Sequence, residues 1–298
     1  MFNVLPARLR GALVFLLIVL NTVACAVPLV LLALIKLVIP VSSVRALIDP
    51  LLNGIATGWI AFNTGLLQLS QRTVWDVRGV DALSARHWYL VNCNHQSWVD
   101  ILVLQRVFNH RIPLLKFFLK RELLYVPVIG VCWWALDFPF MRRHSATYLQ
   151  KHPEKRTEDL ETARRSCARF ALVPTSVMNF PEGTRFTAEK RDRQRSPYRH
   201  LLKPRAGALG LSLSVLGERF RSLLDVTIVY PGGTPTFWQF LCHGAPRIVV
   251  EVATLEVPER LCGGDYQGDV GLRGDLQQWL ADLWGRKDER IAAILAGG

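Results

Sequence analysis

The first extended pattern in the chain is apolar. Residues 12–35 carry no charged side chain and are broken only by Asn21, Thr22 and Pro28. As a helix rising about 1.5 Å per residue, that run covers the roughly 30 Å hydrocarbon thickness of a bilayer. It is longer than the apolar core of a cleaved leader, and Val23-Ala24-Cys25-Ala26-Val27 is a poor cleavage site, so it reads as a retained anchor. A second apolar segment, 46–69, is interrupted by Asp49, Pro50, Asn53, Asn63 and Gln68. A lipid-exposed span would leave those polar groups unsatisfied, so the segment predicts an interfacial helix or the returning arm of a re-entrant hairpin. Arg8 and Arg10 precede the first run and Lys36 and Arg45 follow it, so charge does not orient a span. A hairpin that dips in and returns would leave both basic ends on one side.

From residue 73 the pattern changes to short apolar runs alternating with helical stretches. Strands are predicted at 74–77, 88–93, 176–180, 225–230 and 247–252, and helices at 101–108, 158–171, 206–216 and 276–295. That alternation specifies an α/β layered body over 73–298, following anchoring helices over 1–72. The charged stretch 190–196 predicts a solvated loop.

Composition narrows the partners. Apolar residues make up 50% and charged ones 20%, which excludes a disordered chain. The net charge is +12, and the stretch between Arg142 and Arg205 holds 16 Lys or Arg against 7 Asp or Glu. This favours a phospholipid surface or a phosphorylated substrate. Nucleic acid is not expected, because the cations lack interleaved stacking aromatics and no recognition motif is present. The six cysteines form no Cys-x-x-Cys pair, so they predict reduced, mostly buried thiols in a body facing the cytosol, with no metal site.

The candidate chemistry begins at Asn94-His95-Gln96-Ser97-Trp98-Val99-Asp100, between a predicted strand and a predicted helix. His95 and Asp100 can converge only if His95 precedes the helix and Asp100 lies in its first turn. A histidine held by a carboxylate is how enzymes prepare a general base. Ser97 and Asp100 also fit a capping box, which would explain Asp100 structurally. The segment Lys120-Arg121-Glu122-Leu123-Leu124, running on to Pro127, Gly130, Trp133 and Trp134, has two readings. Its cations either snorkel to lipid headgroups or meet an anionic substrate. Phe180-Pro181-Glu182-Gly183-Thr184-Arg185 follows a strand, where open α/β sheets place their sites. Gly183 permits a tight turn there, and Arg185 offers a planar fork for phosphate, which Glu182 can hold. Packing alone accounts for Thr227-Ile228-Val229-Tyr230-Pro231-Gly232-Gly233. No Gly-x-Ser-x-Gly elbow occurs, which argues against a lipid hydrolase using Ser97.

In this order the four blocks resemble the lysophospholipid, or 1-acyl-glycerol-3-phosphate, acyltransferase family over roughly residues 75–252. The resemblance implies an αβα layered mixed sheet seated on the membrane by an N-terminal membrane-embedded helical segment. It further implies transfer of a fatty acyl group from acyl-CoA or acyl carrier protein to the hydroxyl of a lysophospholipid acceptor, with no cofactor beyond that co-substrate. Carried over by motif, His95 is the general base and Asp100 its orienting carboxylate. Lys120 is the cation of the second block, and Glu182, Gly183, Thr184 and Arg185 form the block that binds the acceptor phosphate. Phe186 stands where a small hydroxyl residue is usual, and Val229-Tyr230-Pro231 departs from the usual Val-Pro. That departure, with Trp134 to Asp137 and Pro139 to Arg143, is similar to a branch of bacterial inner-membrane proteins, implying an inner membrane with the catalytic domain on its cytoplasmic face. The alternatives are a membrane-bound lipid hydrolase and a non-catalytic protein that binds anionic lipid.

Overall fold

A computed structural model describes residues 5–141, 173–217, 219–220, 222–266 and 268–297. The chain opens with two long helices, α1 (Ala7–Val38) and α2 (Ser42–Ser70), joined through residues 39–41. They run antiparallel and are fastened along their length by polar pairs. Asn21 donates to Asn63 at 2.9 Å, Trp59 to Thr22 at 3.0 Å, and Lys36 pairs with Asp49 at 2.7 Å. Asp49 and Asn63 are thus tolerated in the second apolar segment because they have partners between the helices. The second apolar segment is thus one helix that folds back along the first.

Both helices also lie along the body. Near the start of α1, Arg10 donates to the Cys242 carbonyl, and Gly11 packs on Cys242 with no room for a Cβ. Near its end, Lys36 also pairs with Asp137. Leu29, Ile48 and Leu52 share a cluster there with Leu119, Leu136 and Phe138. The outer side of α1 leaves Phe15, Val19, Val23, Val27, Leu31 and Leu34 exposed, a stripe at helical spacing.

The body follows in the order β1 (Val74–Arg78), β2 (Tyr89–Cys93), α3 (Val99–Phe108), β3 (Leu115–Phe117), β4 (Leu119–Lys120), α4 (Ile129–Ala135), β5 (Phe140–Met141), β6 (Ser176–Asn179), α5 (Ala188–Gln194), α6 (Gly207–Leu216), β7 (Ser222–Val229), α7 (Phe237–His243), β8 (Arg247–Glu256) and α8 (Val270–Ala296). Six strands form one mixed sheet in the order β1-β8-β7-β2-β6-β3, antiparallel only at β7–β8. β4 and β5 make a separate two-stranded ladder. Every residue of β2 is buried, because the sheet is covered on both faces. Leu90 points to the cluster of α6 and α8, which includes Leu209, Leu280 and Trp284. Tyr89, Val91 and Cys93 point the other way, to Val103, Leu104 and Phe108 of α3. The result is the αβα layering that the family resemblance implies. Buried Lys287 of α8 reaches through the layer to Asp225 at 3.0 Å and to the Val226 carbonyl at 2.5 Å.

Several boundaries differ from expectation for local reasons. α8 begins earlier, at Val270, because Asp269 accepts from the Leu272 N–H and caps it. The charged stretch at 190–196 is not a loop over most of its length. Thr187 caps a helix there, Glu189 lies in its first turn and Arg191 and Arg193 in its last, each sign suiting the helix dipole. β7 starts at Ser222 and β8 runs on to Glu256, each beyond its predicted edge. The short β3, α4 and α7 gave no period long enough to read. Among the described cysteines none is paired, and Cys93 and Cys242 are buried while Cys25, Cys132 and Cys262 are half-buried. The helix expected over 158–171 lies outside the described residues.

Candidate active site

The carboxyl ends of the parallel strands β2, β6 and β7 open on one edge of the sheet, and the motifs emerge there. After Cys93, the side chain of Asn94 makes a two-way pair with the backbone of Ile228 in β7. It donates to the carbonyl and accepts from the N–H, both at 2.9 Å. The turn is therefore pinned to the neighbouring strand before His95 leaves it. Asp100 is the second residue of α3, so His95 precedes the helix as the spacing required.

His95 Nδ1 lies 2.9 Å from Asp100 Oδ2, and its ring stacks on Phe180 with centroids 4.0 Å apart. The carboxylate accepts from the N–H groups of Gln96 and Ser97 at 2.6 and 2.9 Å as well. Capping and orientation are therefore one role, since the same oxygen satisfies the turn and holds the ring. An acceptor at Nδ1 places the imidazole hydrogen there and leaves the lone pair on Nε2. Ser97 is buried and donates its hydroxyl to the Pro235 carbonyl at 2.6 Å, so it is not disposed as a nucleophile.

Packing alone accounts for the sequence around Tyr230, yet its hydroxyl donates to Asp100 Oδ1 at 2.6 Å. Burial, then the charge of Asp100, pushes the phenol well above its ordinary range, so it remains a donor. The only hint in the sequence was a tyrosine where related motifs carry proline; the partner lies 130 residues away. Tyr230→Phe leaves Oδ1 of a fully buried carboxylate without this donor. A loss of about 1.5–3 kcal/mol in stability is expected, with a fall in kcat larger than any change in KM. Chemical denaturation and steady-state kinetics on the same preparation check both.

The second motif encloses His95 from the other side. Glu182, 1% exposed, accepts the His95 N–H on Oε1 and the Leu202 N–H on Oε2, each at 2.9 Å. Phe186 returns the contact, its N–H donating to the His95 carbonyl at 2.7 Å. The departure at Phe186 is tolerated because this contact uses only main chain. Between them Gly183 adopts φ +68, a left-handed turn closed by its N–H to the Phe180 carbonyl at 2.9 Å. Thr184 Oγ1 accepts from Lys190 Nζ at 2.9 Å, which also donates to the Arg185 carbonyl. The Arg185 guanidinium lies 4.9 Å from the Trp98 ring centre and makes no ion pair among the described residues.

The structure thus brings His95, Asp100, Glu182, Gly183, Thr184 and Arg185 together. Glu182 braces the turn through both of its oxygens. Lys120 stands apart from this network, exposed on the β4–β5 ladder just beyond the carboxyl end of β3.

Burial pushes the Glu182 carboxyl up to about 7, although its two backbone N–H bonds pull the other way. Because the folded value exceeds the ordinary 4.5, the stability linked to this proton is complete below about 4.5 and is lost as pH rises through about 7. The parent protein is therefore expected to lose on the order of 3 kcal/mol between pH 4.5 and 8 relative to Glu182→Gln, which cannot titrate. Paired denaturation curves across that range measure it, and parallel pH profiles would refute it.

The acyltransferase family model matches residues 74–235, which takes in every motif of this edge. The chain belongs to the acyltransferase family. Two relatives fit that placement. The acyltransferase is 24% identical over 242 residues to 2-acyl-1-lysophosphatidylinositol acyltransferase of Saccharomyces cerevisiae, covering 69% of this chain and 61% of the relative. It is 25% identical over 231 residues to 1-acyl-sn-glycerol-3-phosphate acyltransferase 3 of Arabidopsis thaliana, covering 72% and 56%. The acyltransferase therefore spans about three fifths of the length of these curated relatives. In fold it is similar to the crystal structure of the 1-acyl-sn-glycerophosphate (LPA) acyltransferase, PlsC, from Thermotoga maritima. The TM-score is 0.50 at 15% identity, with 93% of this chain and 96% of that one covered.

Proposed function

We propose that this acyltransferase moves a fatty acyl group from an acyl thioester, acyl-CoA or acyl carrier protein, to the free hydroxyl of a lysophospholipid such as 1-acyl-glycerol-3-phosphate. The observation that carries the reading is the His95–Asp100 pair at 2.9 Å, with the guanidinium of Arg185, which has no ion pair among the described residues, on the adjoining turn. The acceptor hydroxyl attacks the thioester carbonyl carbon while His95 Nε2 takes its proton. Asp100 stabilises the imidazolium so formed. Collapse of the tetrahedral oxyanion breaks the carbon–sulfur bond, and the departing thiolate takes the proton back from Nε2. Arg185 and Lys120 supply positive charge for the acceptor phosphate, and Thr184 lies on the turn that presents Arg185.

The reaction runs at a membrane surface. α1 is long and apolar enough to cross a bilayer, and its outer stripe is exposed apolar side chain. Contacts to the body near both of its ends favour a hairpin lying in one leaflet over a helix surrounded by lipid. An inner membrane with the catalytic edge on the cytoplasmic side suits the free cysteines and the basic charge.

The test is direct. Protein purified in mild detergent is incubated with lysophosphatidic acid or other lysophospholipids and with palmitoyl-CoA or palmitoyl carrier protein. Thiol release and diacyl product should appear in equal amounts. Free fatty acid in place of diacyl product would mean hydrolysis; lipid binding without thiol release would mean a binding protein.

A further inference from the structure

A cleft of about 430 Å³ lies on the α6–α8 side of the sheet, outside the His95 network. Its walls are built rather than incidental. Tyr198 is fixed by its hydroxyl, which donates to the Ala281 carbonyl at 3.1 Å. The Tyr266 ring packs flat against Gly210, where a Cβ would have no room. The amide of Gln277 accepts from the Ala206 N–H at 3.3 Å and donates to the Pro204 carbonyl at 3.1 Å, clamping the intervening turn to α8. Lys203 and Arg205 stand on this turn, both exposed, and neither side chain has an ion pair among the described residues. Among the described residues, no carboxylate lines the cleft. Two fixed aromatic rings beside two uncommitted cations suit a planar base carrying phosphates.

The cleft also connects to the reacting centre. The Arg205 N–H donates to the Pro181 carbonyl at 2.8 Å, and its side chain lies 4.0 Å from where a Cβ of Gly183 would stand. The next residue back, Glu182, accepts the His95 N–H. A ligand with its phosphates at Lys203 and Arg205 can therefore extend past the Gly183 turn to the imidazole.

We propose that this cleft takes the nucleotide end of acyl-CoA, with the adenine against Tyr198 and Tyr266 and the phosphates on Lys203 and Arg205. The inference rests on the acyl-transfer reading and deepens it by naming the donor: an acyl carrier protein bears the phosphopantetheine arm but no nucleotide. The cations favour the donor over the acceptor phosphate because two aromatic walls have no use in holding a lysolipid headgroup of that kind.

Lys203→Gln with Arg205→Gln, and separately Tyr266→Leu, are assayed with palmitoyl-CoA and with palmitoyl-pantetheine, which lacks the nucleotide. The ratio of kcat/KM for the first donor over the second should fall about tenfold or more in each variant. Adenosine 3′,5′-bisphosphate, titrated by calorimetry, should bind the parent and bind the paired-glutamine variant at least about tenfold more weakly. An unmoved donor ratio, or a KM that rises for the lysolipid in place of the donor, overturns the assignment. Equal nucleotide binding by parent and variant does so as well. A parent that transfers no acyl group from any thioester, yet binds the nucleotide with the expected difference, would overturn the acyl-transfer reading while leaving the cleft a nucleotide site.

Discussion

His95→Ala is expected to lower acyl transfer by about 10²- to 10⁴-fold, the contribution of a positioned general base, while the fold survives. The fold survives because the main chain at residue 95 makes the contacts that hold the turn. Its N–H meets Glu182 and its carbonyl receives the Phe186 N–H, and neither bond needs the ring. What is lost is the Nε2 lone pair and the stacking on Phe180. Product formation from lysophosphatidic acid and palmitoyl-CoA, measured beside the far-UV circular dichroism of both proteins, decides it. A variant within a few-fold of the parent rate would show that some other group removes the proton. Partial recovery on adding free imidazole would show that a missing base, and not a collapsed pocket, caused the loss.

Asp100→Asn is expected to be nearly as damaging, and in a diagnostic way. Four donors converge on this fully buried carboxylate: the His95 ring, the Gln96 and Ser97 N–H groups and the Tyr230 hydroxyl. An amide cannot serve them all. If its NH₂ faces His95, Nδ1 must accept, the ring hydrogen moves to Nε2, and the base is lost. If its oxygen faces His95, the tautomer is kept but the charge that stabilises the imidazolium is gone. Either arrangement lowers kcat by about 10²- to 10⁴-fold. Because Asp100 is sealed from the open side of the site, KM for the acceptor should scarcely move. A fall in stability of about 1–3 kcal/mol should accompany it, from donors left without a partner. Kinetics and denaturation on one preparation separate the two effects; a raised KM with kcat intact would mean that Asp100 serves binding and not the base.

Sequence and structure contributed differently to these two experiments. The His95–Asp100 relation was legible because both residues lie within one turn and the start of one helix, so spacing restricted how they could meet. Glu182 could be placed in a motif but not given its bond, because nothing along the chain says that a residue 87 positions later will accept the His95 N–H. Tyr230 could not be given its partner for the same reason, since Asp100 lies 130 positions away. Its strand end looked like packing, and packing does explain Thr227 to Val229 but not the phenol. The helix at Ala188–Gln194 was hidden by its charge, although the Thr187 cap was present in the sequence.

By itself, the sequence determined what depends on neighbours along the chain. This includes the apolar helices, the alternation that makes a layered α/β body, the turn-plus-helix that pairs a histidine with a carboxylate, and a glycine turn ahead of an arginine. Tertiary structure alone decided what depends on strand order. By laying β7, β2 and β6 side by side, the mixed sheet delivers Tyr230, His95 and Glu182 to one edge. It folds the second apolar segment back as a paired arm and stands Lys203 and Arg205 beside two fixed rings. The reason is physical: local periodicity is set by steric rules acting over a few residues, whereas contacts between distant segments follow from how buried faces are shared, which no short stretch of chain encodes.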